Sequence, residues 1–150
     1  MAECNATGHP KILYKYNSEL NVALRQTLSN STLELYSMLR YYMGWVDSKD
    51  SPKISTQGKA LRPTLCLLSC EAFGGSVDSA MPAAVALELI HNFSLIHDDI
   101  QDLDEVRHHR PTLWAIWGVP KAMIAGNALR VIADTCLEKL VSQGIGTDKI

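Results

Sequence analysis

Apolar residues return along this chain at the spacing of one helical face. Leu35, Leu39, Tyr42 and Val46 stand at i, i+4, i+7 and i+11, and Leu61, Leu65, Leu68 and Ala72 repeat that spacing on a second segment. Positions three and four apart share a helix surface, so each set predicts one buried stripe. A third segment opens near Pro82, whose fixed φ suits a first helical turn, and carries Ala86, Leu89, Phe93, Ile96, Ile100 and Leu103. A fourth starts near Pro120, with Ala122, Ala125, Leu129, Ile132, Cys136 and Leu140 on one face. An earlier helix is predicted over residues 12–28. Gly, Ser, Asp and Pro gather at 47–58, 73–79 and 110–119, which read as turns. No strand-like alternation competes, so the pattern predicts an all-α bundle of about five or six helices in one domain.

Composition agrees. Leu and Ala outnumber Val and Ile, a tilt toward residues that lose little entropy in a helix. With 47% hydrophobic and 20% charged residues, the chain has the make-up of a globular protein rather than a disordered one. A net charge of -2 supplies no positive field for nucleic acid, so a polyanion would have to be met locally. The longest apolar stretches are broken by Glu88, His91, Asn127 and Arg130, short of the roughly eighteen uninterrupted apolar residues of a membrane span. The first ten residues lack a basic start followed by an apolar core, and a cytoplasmic setting is the default expectation. Cys66 and Cys70 stand four apart in an apolar run, and without a CxxC pair the cysteines read as small core residues.

The chemistry gathers on the third helix. Asp98 and Asp102 lie one turn apart on one face, where like charges repel by about 0.2–0.5 kcal/mol unless a cation sits between them. Oxygen ligands of this kind suit Mg²⁺, which keeps open positions that phosphate oxygens commonly fill. Glu88, His91, Leu95, Asp98, Asp102 and Glu105 form a stripe roughly opposite the apolar one. Arg107, His108, His109 and Arg110 follow within two turns, and Lys59 and Arg62 stand three apart where a loop becomes a helix. A divalent-metal site beside two basic clusters reads as a diphosphate site. A plain solvated acidic face is the bland alternative.

These residues carry a family resemblance. Gly-Lys-x-x-Arg-Pro at 58–63, Glu-Leu-Ile-His at 88–91, the DDxxD motif at 98–102, and Arg107 followed by Arg110-Pro-Thr resemble the polyprenyl synthetase family, the trans-isoprenyl diphosphate synthases. The resemblance runs from about Leu13 onward. It implies the all-α isoprenoid synthase fold around a deep cavity, and Mg²⁺-dependent condensation of isopentenyl diphosphate with an allylic diphosphate. It implies that Asp98 and Asp102 hold the Mg²⁺ of the allylic diphosphate with Asp99 in support, and that Arg107 contacts the same diphosphate. Lys59, Arg62 and His91 would bind isopentenyl diphosphate, and His108, where the family commonly has a second arginine, would bind substrate diphosphate most fully when protonated. His97 is expected to support the motif rather than ligate metal, and Asn127 stands where the family usually has Asp.

An aromatic residue five positions before DDxxD tends in this family to stop chain growth, and Phe93 with small Ser94 after it implies a C20 product, or a C15 one. An ideal helix nevertheless sets Phe93 about 140° from Asp98 and Ser94 only about 40° away. The resemblance implies a longer domain carrying a second aspartate-rich motif, which nothing after Val131 matches. The 150 residues therefore read as the N-terminal portion of one synthase domain, a homodimer in its full-length form. Alone they are expected to condense substrates poorly and to expose apolar surface where the opposite helices would pack. A non-catalytic partner subunit is the rival reading. A remoter one is an HD-type metal phosphohydrolase built on His97-Asp98, which would not require Lys59, Arg62 or Arg107.

Overall fold

The computed structural model describes residues 10–29, 31–53 and 60–146. Among them a 3-10 turn, Lys11–Tyr14, leads into six α-helices: α1 (Asn17–Leu28), α2 (Glu34–Tyr42), α3 (Leu61–Ala72), α4 (Val77–Gln101), α5 (Leu113–Trp117) and α6 (Val119–Ser142). The all-α bundle expected from periodicity is the architecture observed. Between α4 and α5 lies a small antiparallel hairpin, β1 (Val106–Arg107) and β2 (Arg110–Pro111).

The longest helix, α4, is the axis of the fold and packs most extensively against α6, then against α3. Leu89 and Ile96 of α4 and Ala122, Ala125, Leu129 and Ala133 of α6 are all within 1% of full burial. Small residues on α6 let the two helices approach closely. At Gly126 a Cβ would lie 2.5 Å from Nε2 of His97, so only glycine leaves room for that ring. Leu20, Leu24 and Leu28 give α1 one buried stripe, and Met38, Leu39 and Tyr41 do the same for α2. Each fully buried Leu or Ile is worth about 1.5–3 kcal/mol of apolar transfer.

Several local expectations are corrected. The buried face of α3 is Pro63, Thr64 and Leu67, whereas Leu61 and Leu65 are 46% and 51% exposed. Apolar residues lie on two sides of α3, and the docking of α4 and of the turn at Lys11–Tyr14 selects between them. Pro82 does not open its helix; α4 begins at Val77, so Pro82 falls in the second turn. The stretch read as a turn at 110–119 contains β2 and α5, and Val46 lies beyond α2, bridged to Pro52. By length and mean hydropathy alone α4 would suit a bilayer crossing, a reading its polar interruptions had excluded, yet here it is the central packed helix.

Candidate functional site

The functional face of α4 begins with Glu88, His91 and Asn92, half-buried, and ends with Asp98 and Asp102, both exposed. The two aspartates stand at the helix C-terminus, where unpaired carbonyls already concentrate negative charge, so repulsion between the side chains adds to the dipole. The turn closes tightly. Asp102 N–H donates to the Asp98 carbonyl at 2.8 Å and Asp104 N–H to that of Asp99 at 2.9 Å, with Leu103 forced to φ 58° at the position glycine normally fills. Among the described residues no three metal-ligating side chains converge. Two exposed carboxylates one turn apart at a negative helix end still fit Mg²⁺, which commonly takes one or two protein carboxylates and completes its shell with water and phosphate oxygens.

The middle aspartate behaves differently. Asp99 is 1% exposed and accepts a 2.5 Å hydrogen bond from Arg107 Nε. Burial pushes its carboxyl above the usual carboxylate range, Arg107 pulls against that shift, and Asp104 and Asp98 add to it. Arg107 is thus anchored through Nε, and its terminal nitrogens make no hydrogen bond among the described residues. Asp99 therefore fixes the direction of this guanidinium.

Arg107 opens the hairpin, and His108 and His109 form its two-residue turn with φ of 50° and 61°. Such turns favour Asn-Gly, so two histidines here hold strained backbone in place. The strain is held by neighbours. Arg110 donates to the carbonyls of Tyr41 (2.8 Å) and Val46 (3.2 Å) and stacks 4.1 Å over the Tyr41 ring, while Tyr41 Oη donates to the Pro111 carbonyl at 2.8 Å. On the other side, Thr112 Oγ1 and Trp114 Nε1 both donate to the Asp104 carbonyl at 2.9 Å. Arg110 is therefore a clamp between α2 and the hairpin rather than part of a solvated loop.

A cavity of about 630 Å³ lies between α1, α2, the start of α3, the functional face of α4 and the hairpin. Arg62, His91 and His108, from three separate segments, all line it. Lys59, assigned to the same group, lies outside the described residues. Burial pushes the His91 imidazole below its ordinary range, and Arg62 and Arg107 push it further, so His91 meets a ligand as a neutral donor. Glu88 lines the same cavity and is pushed upward by burial, against the pull of Asn92 and Arg62. A smaller cavity of about 90 Å³ is bounded by Arg107, and Tyr42, Asn92, Leu95, His108 and Arg110 border both spaces.

Phe93 and Ser94 line neither of these cavities. Phe93 meets the His97 ring edge-on at 4.6 Å, and Ser94 Oγ donates to the His91 carbonyl at 2.8 Å. His97 is turned to Gly126 of α6 with a buried, unpartnered Nε2, while Asn127 is exposed on α6. Sequence reasoning missed Tyr41, Tyr42 and Asn92. The available signal was two phenols directly after Arg40 on a helix whose apolar stripe already included Tyr42.

Comparison with known proteins completes the picture. A family profile described as Polyprenyl synthetase matches residues 49–148. The chain is 42% identical over 123 residues to a (2E,6E)-farnesyl diphosphate synthase of Mycobacterium tuberculosis, covering 82% of this chain and 34% of that protein. It is 33% identical over 139 residues to a geranylgeranyl diphosphate synthase of the same organism, covering 93% and 40%. Among solved structures, a polyprenyl synthetase from Streptomyces coelicolor superposes with a TM-score of 0.80 at 37% identity, covering 86% of this chain and 38% of that one. The chain spans little more than a third of the length of the curated relatives it matches.

Proposed function

The chain belongs to the polyprenyl synthetase family, and from that membership we propose that it forms the first diphosphate- and Mg²⁺-binding side of a short-chain prenyl diphosphate synthase. The reaction is condensation of isopentenyl diphosphate with an allylic diphosphate. The observation that carries this reading is that Asp98 and Asp102, exposed at the negative end of α4, follow within two turns of His91 and Leu95 respectively, which line a cavity together with Arg62 and His108; the aspartates themselves line neither cavity.

In this mechanism Asp98 and Asp102 would hold Mg²⁺ for the allylic diphosphate, and the ion would supply charge neutralisation for the leaving group. Arg107, aimed by Asp99, adds its terminal N–H groups to the same diphosphate. Breaking the allylic C–O bond leaves an allylic cation, and the isopentenyl double bond attacks it. Arg62, His91, His108 and Lys59 hold the isopentenyl diphosphate so that this double bond faces the cation. The released diphosphate, still held by Arg107, then takes a proton from the adjacent carbon, and the C–H electron pair restores the alkene. Leu20, Leu24 and Leu95 present apolar surface to the cavity, which keeps water from quenching the cation.

Calorimetric titration of inorganic diphosphate with and without Mg²⁺ tests the site, and turnover of labelled isopentenyl diphosphate tests the chemistry. Loss of Mg²⁺-dependent binding in Asp98→Ala supports the reading; full binding in that variant overturns it. Product length belongs to the same proposal, with C20 favoured over C15 and Phe93 as the stop. Phe93→Ala then lengthens the product, and an unchanged distribution removes Phe93 from that role. A homodimer in the cytoplasm is the assembly proposed, for which Ile124 and Val131, 58% and 64% exposed on α6, offer an apolar face.

A further inference from the structure

Tyr42 sits in the partition between the two cavities, at the end of α2 that the Tyr41–Arg110 clamp ties to the hairpin. Its hydroxyl is buried and makes no hydrogen bond among the described residues. A buried O–H without a partner costs about 1–3 kcal/mol, so a fold that keeps one at the wall of a ligand cavity is missing the group that completes it. The neighbours narrow the identity of that group. Tyr42 borders the large cavity together with Arg62, His91 and His108, and the small one together with Arg107 and His108. These four are cationic or N–H-donating side chains, and the one carboxylate among the described residues that lines the large cavity with them, Glu88, already accepts from Asn92 Nδ2 at 3.3 Å.

A diphosphate would bring several acceptor oxygens to such a wall. We infer that Tyr42 is a further diphosphate-binding residue, its phenolic O–H donating to the isopentenyl diphosphate held by Arg62, His91 and His108. This rests on the proposed diphosphate site and adds to it a donor that no motif marks. The competing partner for Tyr42 is the second oxygen of Asp99, likewise buried and unpartnered. Closure onto Asp99 would make Tyr42 a structural group, and the two roles have opposite signatures.

The test is Tyr42→Phe, which keeps the ring and removes only the hydroxyl. Binding of inorganic diphosphate with Mg²⁺ is measured by calorimetry, and the melting temperature is measured without ligand. A hydrogen bond to a charged acceptor predicts about tenfold weaker diphosphate binding, with the melting temperature unchanged or raised because an unpaired buried group is gone. Affinity within twofold of the parent chain overturns the inference, and a lowered melting temperature with unchanged affinity assigns Tyr42 to Asp99 instead. Arg62→Ala is the control for the underlying site. Weakened binding in Arg62→Ala but not in Tyr42→Phe rejects only the role of Tyr42. No diphosphate binding by the parent chain, or full binding in Arg62→Ala, rejects the diphosphate site and the role of Tyr42 with it.

Discussion

The face of α4 turned to α6 buries Leu89 and Ile96 against Ala122, Ala125 and Leu129, with Gly126 opening a slot for His97. The face turned to α1 and α2 carries Glu88, His91 and Asn92 around a 630 Å³ cavity and ends in Asp98 and Asp102. One helix therefore meets two opposite demands. The first face gains stability by close packing, with Nε2 of His97 the buried polar atom there that makes no hydrogen bond among the described residues. Across from the second face, the hydroxyl of Tyr42 on α2 is also buried and unpartnered, at the wall of a cavity where a ligand can supply its acceptor. Stability and binding separate along the helix circumference, and each can be altered without the other.

Leu89→Ala gives the largest effect and falls on stability alone. Loss of a fully buried Leu side chain costs about 3 kcal/mol, seen as a lower urea midpoint, while the folded fraction binds diphosphate with parental affinity. A matching loss of affinity would show that the two faces are coupled. Asp98→Ala comes next and acts the other way. It weakens Mg²⁺-dependent diphosphate binding about 100-fold, or about 2.7 kcal/mol, and leaves the melting temperature level or slightly raised, because repulsion from Asp102 is relieved.

Leu103→Gly sharpens the boundary between the faces. Leu103 is 70% exposed at φ 58°, a conformation that costs a side-chain-bearing residue about 1 kcal/mol or more. Glycine there raises the melting temperature by about 2–4 °C without changing diphosphate affinity, and a fall would show that the Leu103 side chain packs usefully.

The smallest effect is a pH response. His91 is held below its ordinary range in the empty cavity by burial, Arg62 and Arg107. A bound anion raises it again, so binding takes up part of a proton, and affinity increases as pH falls through the interval between the two values. The gain lies from about pH 6.5 downward, is read by calorimetry, and is flattened in His91→Asn. An equal slope in that variant would move the proton uptake to another group.

Much of the site was legible because it obeys local geometry. Asp98 and Asp102 share a face in any α-helix, and the apolar stripe of α6 and that of α4 as far as Ile96 follow from periodicity alone. The face of α3 was misjudged because Leu61 and Leu65 keep the same spacing as a core stripe, and only the docking of α4 shows that Pro63, Thr64 and Leu67 are buried. The distinct role of Asp99 was half visible: its support of the motif was expected, but its pairing with Arg107 depends on the hairpin turning back over the end of α4. Arg110 was harder still, since its partners Tyr41 and Val46 lie more than sixty residues away.

By itself the amino-acid order determined the helical class, the amphipathic phase of most helices and the pairing of carboxylates one turn apart, because these depend on interactions within a few residues. The tertiary structure alone decided which of two apolar faces α3 buries, how a strained His108-His109 turn is held, and that Tyr42 stands in the wall between the cavities. Those outcomes depend on contacts between segments far apart in the chain, whose meeting is set by the packing of whole helices and leaves no periodic trace in the sequence.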